Sequence, residues 1–261
     1  MKQADATEES NSQPDWAPFA LILIDVQRSF WPSQRDAEFP DFAANVARLL
    51  AVCRAEGIEV IHLRARFAPD GSDWMARHRL RGNIPCIAGT AGVETLPCAV
   101  EMEGETILWK QTLDGFLQPA LLRYLRERGK RFLLTAGLVT STCVLLTTAS
   151  AAQRGFLAAV VEDCCADQPG IHAQILSNYG FAFERTTSHQ IREGYAGWSA
   201  SLGRLADLGM GVIAGPPGVR ILGRATPGAV GYSPTTSSSR GEDIRLSPPS
   251  GVTIAMSSMR T

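Results

Sequence analysis

The sequence predicts an α/β protein: a six-stranded, mainly parallel sheet with helices on both faces, a three-layer arrangement. Three observations predict it. From about residue 17 to 208, short apolar runs alternate with stretches of helical periodicity. The runs are apolar at consecutive positions rather than at every second one, so both faces of the sheet must be covered. The helical stretches stop at glycines, and one begins at a proline, the usual punctuation of helix ends.

The elements follow in order. FALILID (19–25) is a continuous apolar run ending in a charge, as expected of a buried strand. DFAANVARLLAVCRAEG (41–57) has helical spacing and stops at Gly57. IEVIHLRARF (58–67) and ETILWK (105–110) read as the second and third strands. PALLRYLRERG (119–129) is a helix opened by Pro119 and closed by Gly129, and KRFLLTAG (130–137) is a fourth strand. STCVLLTTASAAQRG (141–155) reads as a helix and FLAAVVEDC (156–164) as a fifth strand. HAQILSNYG (172–180) and FAFERTT (181–187) supply a last helix and a sixth strand.

Outside this region the composition changes. Residues 1–16 are polar and lack apolar periodicity, which suggests a mobile arm, and 17–208 form the folded domain. Residues 209–261 are rich in Gly, Pro, Ser and Thr and predict a largely disordered tail, with one short ordered segment near Val212 to Ile221. The formal net charge of −1 gives no polybasic surface, so neither nucleic acid nor an anionic membrane is an expected partner. The N-terminus lacks the apolar core of a secretory signal, and no apolar stretch approaches the ~20 residues of a bilayer span. The expected location is cytoplasmic. The six cysteines (53, 86, 98, 143, 164 and 165) then read as free thiols rather than three disulfides.

In a parallel sheet of this kind, ligands bind beyond the carboxyl ends of the strands, near a reversal of strand order. Three chemically capable residues stand at such ends: Asp25 after the first strand, Lys110 after the third, and Cys143 following the fourth at the start of a helix. A helix N-terminus and a nearby ammonium both favour thiolate over thiol. An aspartate in reach could take the thiol proton and return it to a leaving amine. The GLVTST loop before Cys143 could aim N–H groups at a developing oxyanion. Each residue also has a plainer reading: Asp25 as a turn cap, Lys110 as a solvated strand end, Cys143 as a small core residue. A nucleotide-binding oxidoreductase is disfavoured, because DVQRSFW rather than a glycine-rich phosphate turn follows the first strand.

The motifs add an independent signal. LILIDVQRSFW, with Asp25, Gln27 and Phe30, resembles the opening of the isochorismatase-like hydrolases. LTAGLVTSTCVLLTTASAAQRGF resembles their nucleophile region through Gly137, Thr140, Cys143, Val144, Gly155 and Phe156. ILWKQTLDGF, with Lys110 and Phe116, is similar to their lysine strand, and VVEDCCAD to the strand after the nucleophile helix. The resemblance runs over roughly residues 18–190 and implies a Rossmann-like three-layer fold and a cysteine hydrolase. It maps a catalytic triad onto Asp25 as general acid/base, Lys110 as charge support and Cys143 as nucleophile. It further implies a non-proline cis peptide at Leu138–Val139 and an oxyanion hole from the N–H groups of Val139 and Cys143. Gln27 and Thr140 become candidate substrate contacts.

One departure is informative. Nicotinamidases of this family hold a metal through histidines after the first motif, but WPSQRDAEFPDF contains none. The four histidines (62, 78, 172, 189) lack metal-ligand spacing, and His62 reads as structural within its strand, so neither metal nor cofactor is expected. The cysteine favours cleavage of an amide or carbamoyl-type C–N bond through a thioester. The rivals are vinyl ether hydrolysis of the isochorismatase type and a catalytically silent small-molecule-binding protein on the same fold. The segment 68–104 reads as a specificity loop, or its RHRLR as a solvated basic face; Arg77 or Arg81 could meet a substrate carboxylate. Phe30, Trp31, Phe67, Trp74 and Phe116 could line a pocket or simply fill the core. The resemblance also implies a homo-oligomer, a dimer or tetramer.

Overall fold

Among the described residues six strands form: β1 (Phe19–Ile24), β2 (Glu59–Ala65), β3 (Thr106–Lys110), β4 (Phe132–Leu138), β5 (Leu157–Ala166) and β6 (Glu184–Thr186). They belong to a computed structural model that describes residues 13–211. Their order is β3-β2-β1-β4-β5-β6 and every pairing is parallel, so the sheet is wholly rather than mainly parallel. β1 and β4 are buried at every position, as a sheet covered on both faces requires. The edge strands depart from the expected continuous burial: β3 is mostly half-buried, and two of the three β6 residues are exposed.

Among the described residues seven α-helices accompany the strands: α1 (Arg35–Glu38), α2 (Phe42–Glu56), α3 (Ala76–Arg81), α4 (Pro119–Glu127), α5 (Leu145–Gln153), α6 (Pro169–Asn178) and, after the last strand, α7 (Ile191–Asp207). Gly57 ends α2 in the left-handed conformation (φ 71°), which only a residue without Cβ adopts at little cost. α6 begins at Pro169, three residues before the expected start, because proline fits the first helical position. α7 is absent from the sequence reading. Ile191, Trp198 and Leu202 bury one face of it, with Trp198 against Phe132 at 5.0 Å between ring centroids. Three glycines in the stretch mask a periodicity that tertiary packing makes decisive.

Segment 68–104 is tied down rather than free. The Phe67 N–H donates to Cys86 O and the Ala88 N–H to Phe67 O, while Gln27 bridges Thr95. Trp16, assigned to the arm by composition, is buried against Phe19 and Tyr195, at 5.0 and 4.6 Å between centroids. Residues 1–12 and 212–261, including the segment near Val212 to Ile221, lie outside the described residues. His62 is buried in β2 and bonds Glu105 at 2.9 Å, and Arg54 of α2 pairs with the same carboxylate at 2.8 Å. All six cysteines are unpaired.

Candidate active site

Strand order decides where chemistry can gather. From β1 the chain builds outward to β2 and β3, then returns to place β4 on the other side of β1. The reversal lies beside β1, and the carboxyl ends of β1 and β4 diverge there into a crevice. Asp25 follows β1 and sits at φ 49°, a left-handed conformation rare for a residue with a side chain. Its N–H donates to Leu63 O at 2.8 Å, which holds the turn against β2. Lys110 ends β3 opposite Ala65 of β2, a small residue that leaves room for the lysine chain to reach towards β1.

Gly137 brings β4 close. Its φ is 123°, and a Cβ there would stand 1.9 Å from Ile24 O, so only glycine permits this approach beside Asp25. The Leu138–Val139 peptide is cis, at the position expected. Thr140–Val144 then forms a wide π-helical turn before α5, with the Val144 N–H donating to Val139 O at 3.3 Å. Cys143 is on that turn, so α5 proper starts after Cys143 rather than at Ser141. Two contacts clamp the turn from outside: Thr140 Oγ1 bonds His172 Nδ1 at 2.8 Å, and the Ser141 N–H donates to Asp167 Oδ2 at 2.8 Å.

The three side chains meet in the interior. The Lys110 ammonium donates to Asp25 Oδ2 at 2.6 Å, to Thr112 O at 2.9 Å and to Cys143 Sγ at 3.5 Å, using its three protons. Asp25 is 0%, Lys110 1% and Cys143 3% exposed, so these charges act at low local dielectric. The readings of Lys110 as a solvated strand end and of Asp25 as a cap are excluded by this burial and by these partners. Burial works against the Lys110 ammonium, but the Asp25 carboxylate and the neighbouring Cys143 more than offset it and hold its pKa above the usual value.

The thiol behaves differently from the expected standing thiolate. Burial pushes the Cys143 pKa well up, the Asp25 charge pushes it further, and Lys110 offsets only part of this. At neutral pH the resting cysteine is therefore a thiol. Asp25 Oδ1 is buried and has no hydrogen-bond partner. A buried anionic oxygen without a partner is costly, and it supplies an acceptor for one proton.

A cavity of about 270 Å³ opens onto this cluster. Lys110, Thr142 and Cys143 form its floor, and Phe30, Phe67, Met75, Pro85 and Leu113 its walls. Arg77 and Arg81, both exposed, and half-buried His78 belong to α3 and stand at the rim. Phe30 and Phe67 are thus placed as the sequence suggested. Trp31, Trp74, Phe116, Thr140 and Gln27 are not among the lining residues. Trp31 stacks on Phe42 at 4.5 Å, and Trp74 donates its indole N–H to Ala68 O at 2.7 Å. Phe116 packs on Phe156, and Thr140 is spent on His172.

Gln27 is a staple rather than a substrate contact. Its amide donates to Ala65 O and Val93 O, both at 2.9 Å, and accepts from the Ala65 N–H at 2.9 Å. Gln27→Ala is expected to cost about 2–4 kcal/mol of stability by stranding these buried backbone groups. Denaturant unfolding checks it; an unchanged midpoint would remove the structural role.

Met75, His78, Pro85 and Leu113 were missed, because nothing local marks a residue as facing a cavity. Among the described residues no group of three or more His, Cys, Asp or Glu side chains converges as metal ligands would.

With that geometry in hand, the comparisons with known proteins are specific. The family model of the isochorismatase domain matches residues 19–190. The chain belongs to the isochorismatase family. Within it, the chain is 32% identical over 151 residues to the isochorismatase family protein YddQ of Bacillus subtilis, covering 56% of this chain and 77% of YddQ. The crystal structure of an isochorismatase family protein from Desulfovibrio vulgaris aligns with TM-score 0.63 at 28% identity, over 69% of this chain and 98% of that one. The fold is shared also with a cysteine hydrolase from Pseudomonas syringae (TM-score 0.63, 21% identity, 69% of this chain and 93% of that one). The protein is thus an isochorismatase-family hydrolase on an all-parallel six-stranded sheet.

Proposed function

We propose that the protein hydrolyses an amide or carbamoyl-type C–N bond of a small molecule through a thioester on Cys143. One observation carries this reading: a single buried ammonium, Lys110, joins Asp25 Oδ2 and Cys143 Sγ while Asp25 Oδ1 is left open. In the proposed cycle the thiol proton passes to Asp25 and Lys110 stabilises the thiolate as it forms. Sulfur attacks the carbonyl carbon, and the oxyanion is held by the N–H groups of Val139 and Cys143. The C–N bond breaks as Asp25 gives its proton to the departing nitrogen, releasing ammonia or an amine. Asp25, again a carboxylate, then takes a proton from water, whose oxygen attacks the thioester; the acid leaves and the thiol is restored. Six unpaired cysteines support a reducing compartment, and the reading places the reaction in the cytoplasm.

The test is rapid quench of turnover on a panel of small amides, followed by intact-mass measurement. An acyl adduct on Cys143 is expected; turnover with no adduct at any time point argues against the thioester.

The protonation state gives a second check. Iodoacetamide labelling of Cys143 is expected to rise only in alkaline solution, above the ordinary thiol range near 8.5. Asp25 disfavours the thiolate and Lys110 favours it. Asp25→Asn therefore moves the labelling profile to lower pH, and Lys110→Met moves it higher, while both variants lose turnover. A labelling profile unmoved by Asp25→Asn would uncouple the carboxylate from the thiol.

A further inference from the structure

The rim of the cavity carries charge that the chemistry at its floor does not use. Lys110 is committed to Asp25, Thr112 and Cys143. Arg77 and Arg81 lie one helical turn apart on α3, on one face, and both line the cavity. Neither has an ion-pair partner among the described residues, whereas Arg28, Arg54, Arg64, Arg185 and Arg192 each pair with a glutamate. Arg79, between them, is turned to Gly71 O and is not among the lining residues. The cavity lining contains no carboxylate. Between rim and floor the surface is apolar, from Phe30, Phe67, Met75, Pro85 and Leu113.

We infer that the substrate is an amide with an apolar body, aryl or alkyl, that ends in a carboxylate, which Arg77 and Arg81 bind at the rim while the amide carbonyl rests at Cys143. The inference rests on the hydrolase reading above and deepens it. Two guanidinium groups on one helix face suit a planar carboxylate, since each offers parallel N–H donors. The apolar walls take the body of the molecule and exclude water from the reacting carbonyl. An ammonium or a second cationic group at that end would be repelled.

The experiment compares 4-carbamoylbenzoate with its methyl ester, which has the same amide and ring but no charge. Wild type is expected to prefer the acid in kcat/KM by about ten- to hundredfold, the range of a charge-assisted hydrogen-bond pair. Arg77→Gln with Arg81→Gln lowers kcat/KM for the acid more than for the ester, so the preference falls away. Lysine at both positions restores part of it, and added salt erodes it in wild type. Equal kcat/KM for acid and ester in wild type, or a preference retained in the glutamine variant, overturns the proposal. If neither compound is turned over, the amide panel decides whether the thioester reading fails, and calorimetric binding of terephthalate decides the rim on its own. Binding lost in the glutamine variant supports the carboxylate site; no binding to wild type overturns it.

Discussion

Cys143→Ala is expected to lower kcat by about 10³–10⁶-fold, the range seen when a covalent nucleophile is removed from a working triad. The fold should tolerate it: the side chain is small, and its polar contact is with Lys110, which keeps Asp25 and Thr112 as acceptors. Thermal unfolding near the wild-type midpoint would show that the loss is chemical. Cys143→Ser should be almost as inactive, because Asp25 cannot deprotonate a hydroxyl at neutral pH. Steady-state turnover on whichever amide the panel identifies is the measurement. The rivals have distinct signatures. Activity that survives Cys143→Ala but not Asp25→Ala would mark non-covalent vinyl ether hydrolysis. Binding without turnover in wild type would mark a silent binding protein.

Gly137→Ala is expected to be the most damaging conservative change in the chain. The new Cβ would stand 1.9 Å from Ile24 O and 2.8 Å from Ile24 N and C, all backbone atoms of the adjacent strand. No side chain can swing aside to relieve this. The alternative is to part β1 from β4 where both are fully buried. A loss of about 3–5 kcal/mol follows, lowering the midpoint by roughly 10 °C for a domain of this size. Any folded fraction should also turn over about 10²-fold more slowly, because Ile24 directly precedes Asp25, the proposed proton carrier, and a shift near 1 Å misaligns it. Gly129→Ala is the control. It too has positive φ (64°), but nothing lies within 4 Å, so it should cost only about 1–2 kcal/mol. Similar midpoints for the two variants would show that conformation, not strand approach, is what Gly137 provides.

Much of the sheet is legible locally, because a buried parallel strand needs a run of apolar residues with no alternation, and FALILI and FLLTAGL are such runs. The missed helix α7 shows the limit. Glycines and polar residues lower its intrinsic propensity, and it forms because Trp198 and Leu202 find a core already built by β1 and β4. The aromatics show a second limit. Phe67 faces the cavity and Trp31 does not, yet both follow a strand end; Phe42, eleven residues on, captures Trp31 by stacking.

By itself the sequence determined the order of the elements, the family and the three residues at the strand ends, since strand runs, helix stops and motif spacing are properties of neighbouring residues. Only the tertiary structure decided what those residues are to one another. Asp25 and Lys110 are 85 positions apart and Lys110 and Cys143 are 33 apart; the strand order brings them within 2.6 and 3.5 Å. The same burial that assembles the cluster also reverses the expected state of Cys143. Desolvation and the Asp25 charge outweigh Lys110, and Cys143 rests as a thiol. How far a group is removed from water, and what charge lies beside it, is set by the whole fold and by no local stretch of chain.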